Sequence, residues 1–403
     1  MDIIILFFKN TAIIWIPTVL GIIFWRLLNA YKIQYFVSNK LNHKMIEINI
    51  PRDVYKSPQA MELIIEVLHH LGGGAMDWKH RLWSGSVLFP SSLEVVSIEG
   101  SIYFFIRADA KLIPVLKSTI YSQYPQAEVH DVDDYTKYVP DYNTHQDSWS
   151  VYAADYKLAQ ENFIPIKTYI DYELDKNVGS LDEEQKIDPL TPMLEFLSTI
   201  KAGEQIWIQY IVRASTFNSW RKDAAEFIKE IMGRGKVLDD DEPFQSVKLT
   251  YGEQDMVKGI ERSLSKLAFE CVIRCMYIAR KEDENPGRKG YFKSPIFQPF
   301  SSEYFNGIRK SNDTDLDWVW EDVTGGRIPA TKRRFFNEYV RRDAFYDGFW
   351  KYANPLWQKR EKPMILTSEE LATLFHLPGR VSETSTLERI EATKAEPPTN
   401  LPL

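Results

Sequence analysis

The sequence feature that most constrains this chain is an apolar run close to its start. Residues 11–28 read TAIIWIPTVLGIIFWRLL, with Arg26 as the only charge. A helix of about 18 residues reaches roughly 27 Å, close to the thickness of the hydrocarbon core of a bilayer. The run therefore predicts a transmembrane anchor within residues 1–30, with the anchor side chains Ile13, Trp15, Val19, Ile22, Trp25 and Arg26.

The basic residues around this run predict its orientation. Basic residues are more frequent in the segment that follows the run, up to Lys44, than before it, where Lys9 stands alone. The positive-inside bias therefore places the bulk of the chain in the cytoplasm, after a juxtamembrane segment at residues 31–44. A cleaved signal peptide is the alternative, but Arg26 interrupts the approach to its cleavage site near residues 28–30.

Composition limits the rest of the chain to globular domains. With 403 residues, of which 44% are hydrophobic and 26% charged, the chain is long enough for about two to three domains. Its mean hydropathy of −0.32 excludes a multi-spanning membrane protein. The net charge of −7 disfavours bulk binding to nucleic acid. Two cysteines, Cys271 and Cys275, cannot build a disulfide framework.

Residues 45–138 alternate between strand and helix patterns. The segment MIEINI at 45–50 has the period of a strand, Glu99-Gly100 indicates a hairpin, and a last strand covers 127–132. Helical spacing of apolar residues precedes and follows the hairpin. The resulting β-α-β-β-α-β order predicts an α+β fold of the ferredoxin-like, or split βαβ, type, with two helices on one face of a four-stranded antiparallel sheet.

The hairpin's second strand, SIYFFIRA, carries apolar residues on both faces. Because the same fold binds RNA in some proteins, Tyr103, Phe104 and Phe105 are candidates for base stacking. The strand lacks the basic and glycine-rich pattern of an RNA-binding strand, however. We therefore expect both faces to be covered, one by helices and the other by a neighbouring domain or subunit.

The remaining sequence predicts a second, elaborated α+β unit at 149–285, also ferredoxin-like. Its predicted strands are 166–173, 205–213 and 271–278, and its predicted helices are 190–200, 217–232 and 252–269. Residues 286–380 are predicted to be mostly helical, with a short helix that begins at Thr367. Residues 381–403 have the composition of a disordered linker.

A basic stretch in this helical part is the candidate for contact with nucleic acid or with a partner. Such a stretch can contact phosphates or acidic lipid, although a solvated helix face is the commoner origin of the pattern. Its candidate residues are Lys332, Arg333, Arg334, Arg341 and Arg342, interleaved with four aromatic residues at 335, 336, 339 and 345.

The sequence predicts neither an enzyme nor a cofactor site. Gly235-Lys236 lacks the upstream glycine of a Walker motif, and no G-x-S-x-G is present. His69, His70, His80 and Asp77 cluster in the sequence but match no zinc spacing. We therefore assign no catalytic, cofactor-binding or metal-binding residue.

Several segments together resemble a bacterial family. They are IEINIPRDVYKSPQAMELIIEVLHH, LEVVSIEGSIYFFIRAD, EQIWIQYIVRA and LTSEELATLFHLPG. As a set they are similar to the membrane-anchored N-terminal region of type IV secretion coupling proteins and conjugative DNA-transfer proteins. In long relatives a P-loop motor ATPase follows this region, whereas this sequence stops at Leu403, where the motor would begin. The family's catalytic residues therefore have no positions here.

The resemblance implies a non-catalytic, single-pass protein of the bacterial inner membrane that serves as anchor and cytoplasmic assembly platform. The implied partners are the lipid bilayer, a separate P-loop ATPase or secretion-channel subunits, and further copies of the chain in a homo-oligomer. The alternative is a membrane-tethered protein that binds nucleic acid through the basic stretch at 332–342.

Overall fold

The computed structural model describes most of the chain. The described residues are 2–39, 42–50, 56–72, 87–139, 148–176, 187–215, 218–233, 249–293, 295–315, 322, 325–345 and 362–378. The predicted linker at 381–403 lies outside them. Within 2–39, the side chains of 2–10, 12–15, 34 and 37–39 are also outside the description.

The described residues form nine α-helices and nine β-strands. The helices are α1 (Asp2–Asn39), α2 (Gln59–Gly72), α3 (Ile113–Gln123), α4 (Thr191–Ser198), α5 (Ser219–Gly233), α6 (Tyr251–Leu264), α7 (Pro286–Lys293), α8 (Arg327–Arg341) and α9 (Ser368–Leu374). The strands are β1 (His43–Asn49), β2 (Ser91–Ile98), β3 (Ser101–Asp109), β4 (Glu128–Val132), β5 (Trp149–Leu158), β6 (Glu204–Ala214), β7 (Ala268–Arg280), β8 (Ile308–Asp313) and β9 (Met364–Thr367). Two 3₁₀ helices cover Tyr135–Tyr138 and Pro295–Phe300.

All nine strands belong to one antiparallel sheet. Its order is β4-β1-β3-β2-β6-β7-β5-β8, and β9 pairs with the start of β7. The predicted pair of separate ferredoxin-like units is therefore wrong, because β2 and β6 pair from Ser91↔Val212 to Ile98↔Gln205 and join the two halves. The physical reason is that β2 is buried along nearly its whole length, so that it would be an unprotected apolar edge in a separate unit.

The two halves of the sheet have the same strand order when it is counted outward from the centre. Counted outward from the central β2–β6 pair, one half runs β2, β3, β1, β4 and the other runs β6, β7, β5, β8. In each half, the strand that is second in chain order thus lies at the centre of the sheet, and the strand that is fourth lies at its outer edge. The short edge strand β4 carries Glu128, His130 and Asp131, charges of the kind that protect a sheet edge from further pairing.

The predicted transmembrane anchor is also wrong. Within the part of the chain that the structure describes, no helix is both long enough and apolar enough to cross a membrane. α1 includes the predicted run, but Arg26, Asn29 and Lys32 lower the hydropathy of its described part. Of the anchor residues, Val19, Ile22, Trp25 and Arg26 are exposed, whereas the side chains of Ile13 and Trp15 lie outside the description.

Two further assignments of secondary structure need correction. The predicted strand at 166–173 is a series of turns that begins after an isolated bridge between Ile166 and Asn306. The first strand of the second half is instead β5, whose sequence WSVYAADYKL mixes polar and small residues with its apolar ones. The C-terminal part, predicted as mostly helical, also contributes β8 and β9 to the sheet.

Both faces of the sheet are covered, as the composition of β3 predicts. Phe104 packs on one face against Phe375, with ring centroids 5.8 Å apart. Phe105 points to the opposite face and stacks on Tyr135 at 5.3 Å. Helices α2, α3, α4 and α9 cover the first face, and the 3₁₀ helix Tyr135–Tyr138 with α8 covers the second. The chain itself therefore supplies the second cover, and neither phenylalanine is available to stack on a base.

Candidate functional site

A row of polar side chains crosses the centre of the sheet beneath α8. The strand register places Glu94 of β2 opposite Gln209 of β6, Gln209 opposite Arg274 of β7, and Arg274 opposite Asp155 of β5. Residues directly opposite in an antiparallel ladder share a face, so the four side chains form one line. Glu94, Gln209 and Arg274 are 0% exposed. Buried polar groups of this kind need hydrogen-bond partners inside the protein.

Arg342 supplies the main partner of Glu94. It follows α8 in the left-handed conformation, with φ of 52°. Its Nε and Nη2 donate to the Glu94 carboxylate at 3.0 and 3.1 Å. Nη1 and Nη2 also donate to Asp134, and Nη1 donates to the Val340 carbonyl at 2.8 Å. These contacts occupy all five N–H groups of the guanidinium.

Three neutral groups complete the shell of Glu94. Ser92 Oγ donates at 2.6 Å, Tyr135 Oη at 2.7 Å and Gln209 Nε2 at 3.0 Å. Burial alone would raise the pKa of Glu94, but Arg342 and these donors lower it below its usual value. Glu94 is therefore ionised at neutral pH, and its charge is neutralised within the protein.

The other end of the polar row also holds α8. Arg274 Nε donates to Asp155 at 2.8 Å, and Nη2 donates to Glu338 of α8 at 3.4 Å. Tyr339, one residue further along α8, lies 2.8 Å from the Tyr135 hydroxyl. α8 is thus fixed to the sheet by ion pairs on both sides of an aromatic contact, and the row is a docking site for a helix of the same chain.

The structure places the five residues of the predicted basic stretch in different environments. Arg342 is buried in the contacts described above. Arg334 lies 3.9 Å from Glu338 and over the ring of Phe335. Lys332 is partly buried, and burial lowers its pKa. Arg333 and Arg341 are exposed. The five residues therefore do not form one continuous exposed surface for a phosphate backbone.

A second ionic cluster holds the segment formed by β9 and α9. Lys266 Nζ and Ser368 Oγ both donate to Glu62 Oε1 of α2 at 2.8 Å. Arg262 Nε of α6 lies 2.9 Å from Glu369 Oε1. Burial raises the pKa of Glu369. These contacts connect three helices that are far apart in the sequence.

The start and the end of α9 are fixed separately. Thr367 and Glu370 form a capping box, which confirms the predicted helix start. Glu370 Oε1 also accepts the backbone N–H of Ile166 at 3.0 Å, and burial raises the pKa of Glu370 to about 7. Beyond the helix, the buried His376 lies between the Ala372 carbonyl and Asp188, with contacts of 3.0 and 3.1 Å.

The described residues include no group of three or more histidine, cysteine or acidic side chains that could hold a metal ion. His69 and His70 lie at the end of α2, whereas Asp77 and His80 are outside the described residues. The two cysteines of β7 are free and buried, and burial raises the pKa of both thiols. Thiols in this state are weak nucleophiles.

Sequence reasoning missed the polar row, although a signal is present. Glu94 interrupts the apolar strand SSLEVVSI, and Arg274 interrupts ECVIRCMYI. A single charge inside a buried strand indicates an internal partner, because an unpaired buried charge is very unfavourable. The partner itself, Arg342, lies 248 residues away from Glu94.

No protein-family model matches this chain, and no curated protein matches it either.

Proposed function

We propose that this chain is a non-catalytic assembly platform, in which a sheet body holds its covering helices in place and α1 attaches the body to a partner protein. The exposure of α1 carries the proposal. Its described side chains from 16 to 26 are all exposed. They include Leu20 at 59%, Phe24 at 66% and Trp25 at 49%. Exposed apolar surface of this kind marks a site of interaction.

The distribution of these side chains indicates how a partner would bind. Successive residues of an α-helix point about 100° apart, so Ile22, Ile23, Phe24 and Trp25 face all sides of α1. A helix that is apolar on every side is stable only when apolar groups surround it, because contact with one flat surface would leave half of it in water. We therefore expect α1 to lie among apolar helices of a partner rather than against a single face.

The body of the protein supports the role of a platform. Buried ion pairs attach α8 through Arg342 and Arg274, and attach α9 through Glu62 and Glu369. These bonds join elements from both halves of the sheet. The covering helices therefore keep a fixed position relative to β1, the strand that follows α1 in the chain. The body would then offer a partner a surface of fixed shape.

The resemblance noted in the sequence supplies the class of partner. It suggests a separate P-loop ATPase, or secretion-channel subunits of an apparatus like type IV secretion. Nucleic acid is not proposed as the partner, since Arg342 is paired with Glu94 and Arg334 lies beside Glu338.

Photo-crosslinking in the native host tests this proposal. A benzoylphenylalanine at Phe24 should form adducts that mass spectrometry identifies as a P-loop ATPase or a channel subunit. The matched control places the same residue at Tyr251 of α6, an aromatic position that is 88% exposed on the body. Adducts from position 24 and not from 251 are expected. Equal adducts from both positions, or only lipid adducts from position 24, would contradict the proposal.

A further inference from the structure

Arg107 of β3 differs from every other arginine near the polar row. It points to the same face as Glu94, opposite Ser92 of β2 and Met45 of β1. Burial, and then the charge of Arg342, lower the pKa of this guanidinium to about 10. Among the described residues, no oxygen accepts a hydrogen bond from it.

The carboxylates near Arg107 already accept hydrogen bonds from other groups. Glu94 accepts bonds from Ser92, Tyr135, Gln209 and Arg342. The same holds for Asp134, which accepts from the backbone and hydroxyl of Thr136 and from Arg342. Arg342 therefore uses all five of its donors, whereas Arg107 uses none inside the described protein. A half-buried guanidinium in this state is suited to an acceptor from outside.

His43 of β1 lies next to this guanidinium. It pairs with Asp109, and Met45 pairs with Arg107, so His43 and Arg107 are diagonal neighbours on one face with Cα atoms about 7–8 Å apart. One ring nitrogen bonds to the Pro90 carbonyl. The other, Nε2, is buried and has no hydrogen-bond partner within the described chain. The β1–β3 register thus brings a guanidinium and an unpartnered ring nitrogen onto one face of the sheet, one diagonal step apart.

The charges around His43 explain its protonation state. Burial, and then the charge of Arg107, lower the pKa of His43 to about 4, and Arg342 acts in the same direction. Asp109 opposes them, although it also accepts the N–H of Lys111 at 3.0 Å. His43 is therefore neutral at pH 7 in the absence of a ligand.

We propose that His43 and Arg107 form a binding site for an oxyanion, either a carboxylate or a phosphate group. Arg107 donates two parallel hydrogen bonds to the ligand, and Nε2 of His43 takes up one proton from solution and donates a third. The proton is needed because Arg107 and Arg342 already balance Glu94 and Asp134. Between the free and the bound pKa of His43, affinity falls about tenfold for each unit of rising pH.

NMR of the full chain with ¹³Cε1-labelled histidine tests the site. His43→Asn identifies the resonance, and inorganic phosphate or acetate is titrated at constant ionic strength. The pKa of His43 should rise with saturation from about 4 towards neutrality. Arg107→Gln should abolish the rise. Lys44→Gln is the matched control, since it removes an exposed cation from the adjacent position on the other face of β1 and should leave the rise intact.

The ligand class and the refutation follow from the same titration. A response to phosphate alone assigns a phosphate group, and a response to acetate alone assigns a carboxylate; both support the site. A pKa that neither anion moves, or that moves equally in Arg107→Gln, overturns it. If Arg107→Gln does not fold, Arg107→Lys keeps the charge but loses the planar fork, and should lose most of the rise.

Discussion

Replacing Arg342 with methionine should be the most destabilising single change near the polar row. The substitution leaves Glu94, which is 0% exposed, without its hydrogen-bonded cation and with three neutral donors. Asp134 loses the same partner, but its side chain is 23% exposed and can be hydrated. The loss therefore comes mainly from Glu94, and breaking one partner of a buried pair costs about 3–5 kcal/mol of unfolding free energy. Backbone strain at φ of 52° is the same for arginine and methionine.

Urea unfolding followed by far-UV circular dichroism at pH 7 and pH 5 measures this loss. The cost should be smaller at pH 5, because an unpaired Glu94 has a raised pKa and becomes protonated there. Arg341→Met is the matched control: it removes an exposed arginine from the neighbouring position and should change stability by less than about 0.5 kcal/mol. Glu94→Gln combined with Arg342→Met should recover part of the loss. Equal costs for Arg342→Met and Arg341→Met would refute the assigned role of the pair.

Three further predictions concern the other buried groups. The pKa of His376 is raised, mainly by Asp188 and against the effect of burial. The contribution of His376 to stability is therefore complete below about pH 6.5 and is lost as pH rises through the folded pKa. In His376→Gln, the urea midpoint should therefore change less between pH 6 and pH 9 than it does in the unsubstituted protein. Lys266→Met should cost about 2–4 kcal/mol in thermal unfolding, and adding Glu62→Gln should restore at least half of it. The thiols of Cys271 and Cys275 should react with Ellman's reagent only in denaturant, and any reaction of the native protein would contradict their burial.

The sequence predicted those strands in which apolar residues form a long run. β1, β2, β3, β6 and β7 were predicted with nearly their observed bounds, because apolar residues recur at every second position. β5 was not, since Ser150, Asp155 and two alanines interrupt its apolar residues, and β9 is only four residues long. The joining of the halves could not be read from local pattern, because it depends on the pairing of strands about a hundred residues apart.

The candidate site was less predictable than the strands. Spacing in the sequence grouped the basic residues of α8, but the helix points them in different directions and buries Arg342. The row from Glu94 to Asp155 is assembled by register across four strands, and no single segment contains it. His43 and Arg107 are likewise brought together only by the β1–β3 ladder.

The bond between Ser368 and Glu62 spans 306 residues. At a synthesis rate of about 5–20 residues per second, roughly 15–60 s pass between the appearance of α2 and that of α9 on the ribosome. During this interval the buried carboxylate of Glu62 and the apolar side of α2 have no α9 to cover them. The nascent chain is therefore a substrate for chaperones until a late stage of its synthesis, and truncation before residue 364 should convert this temporary exposure into a permanent one.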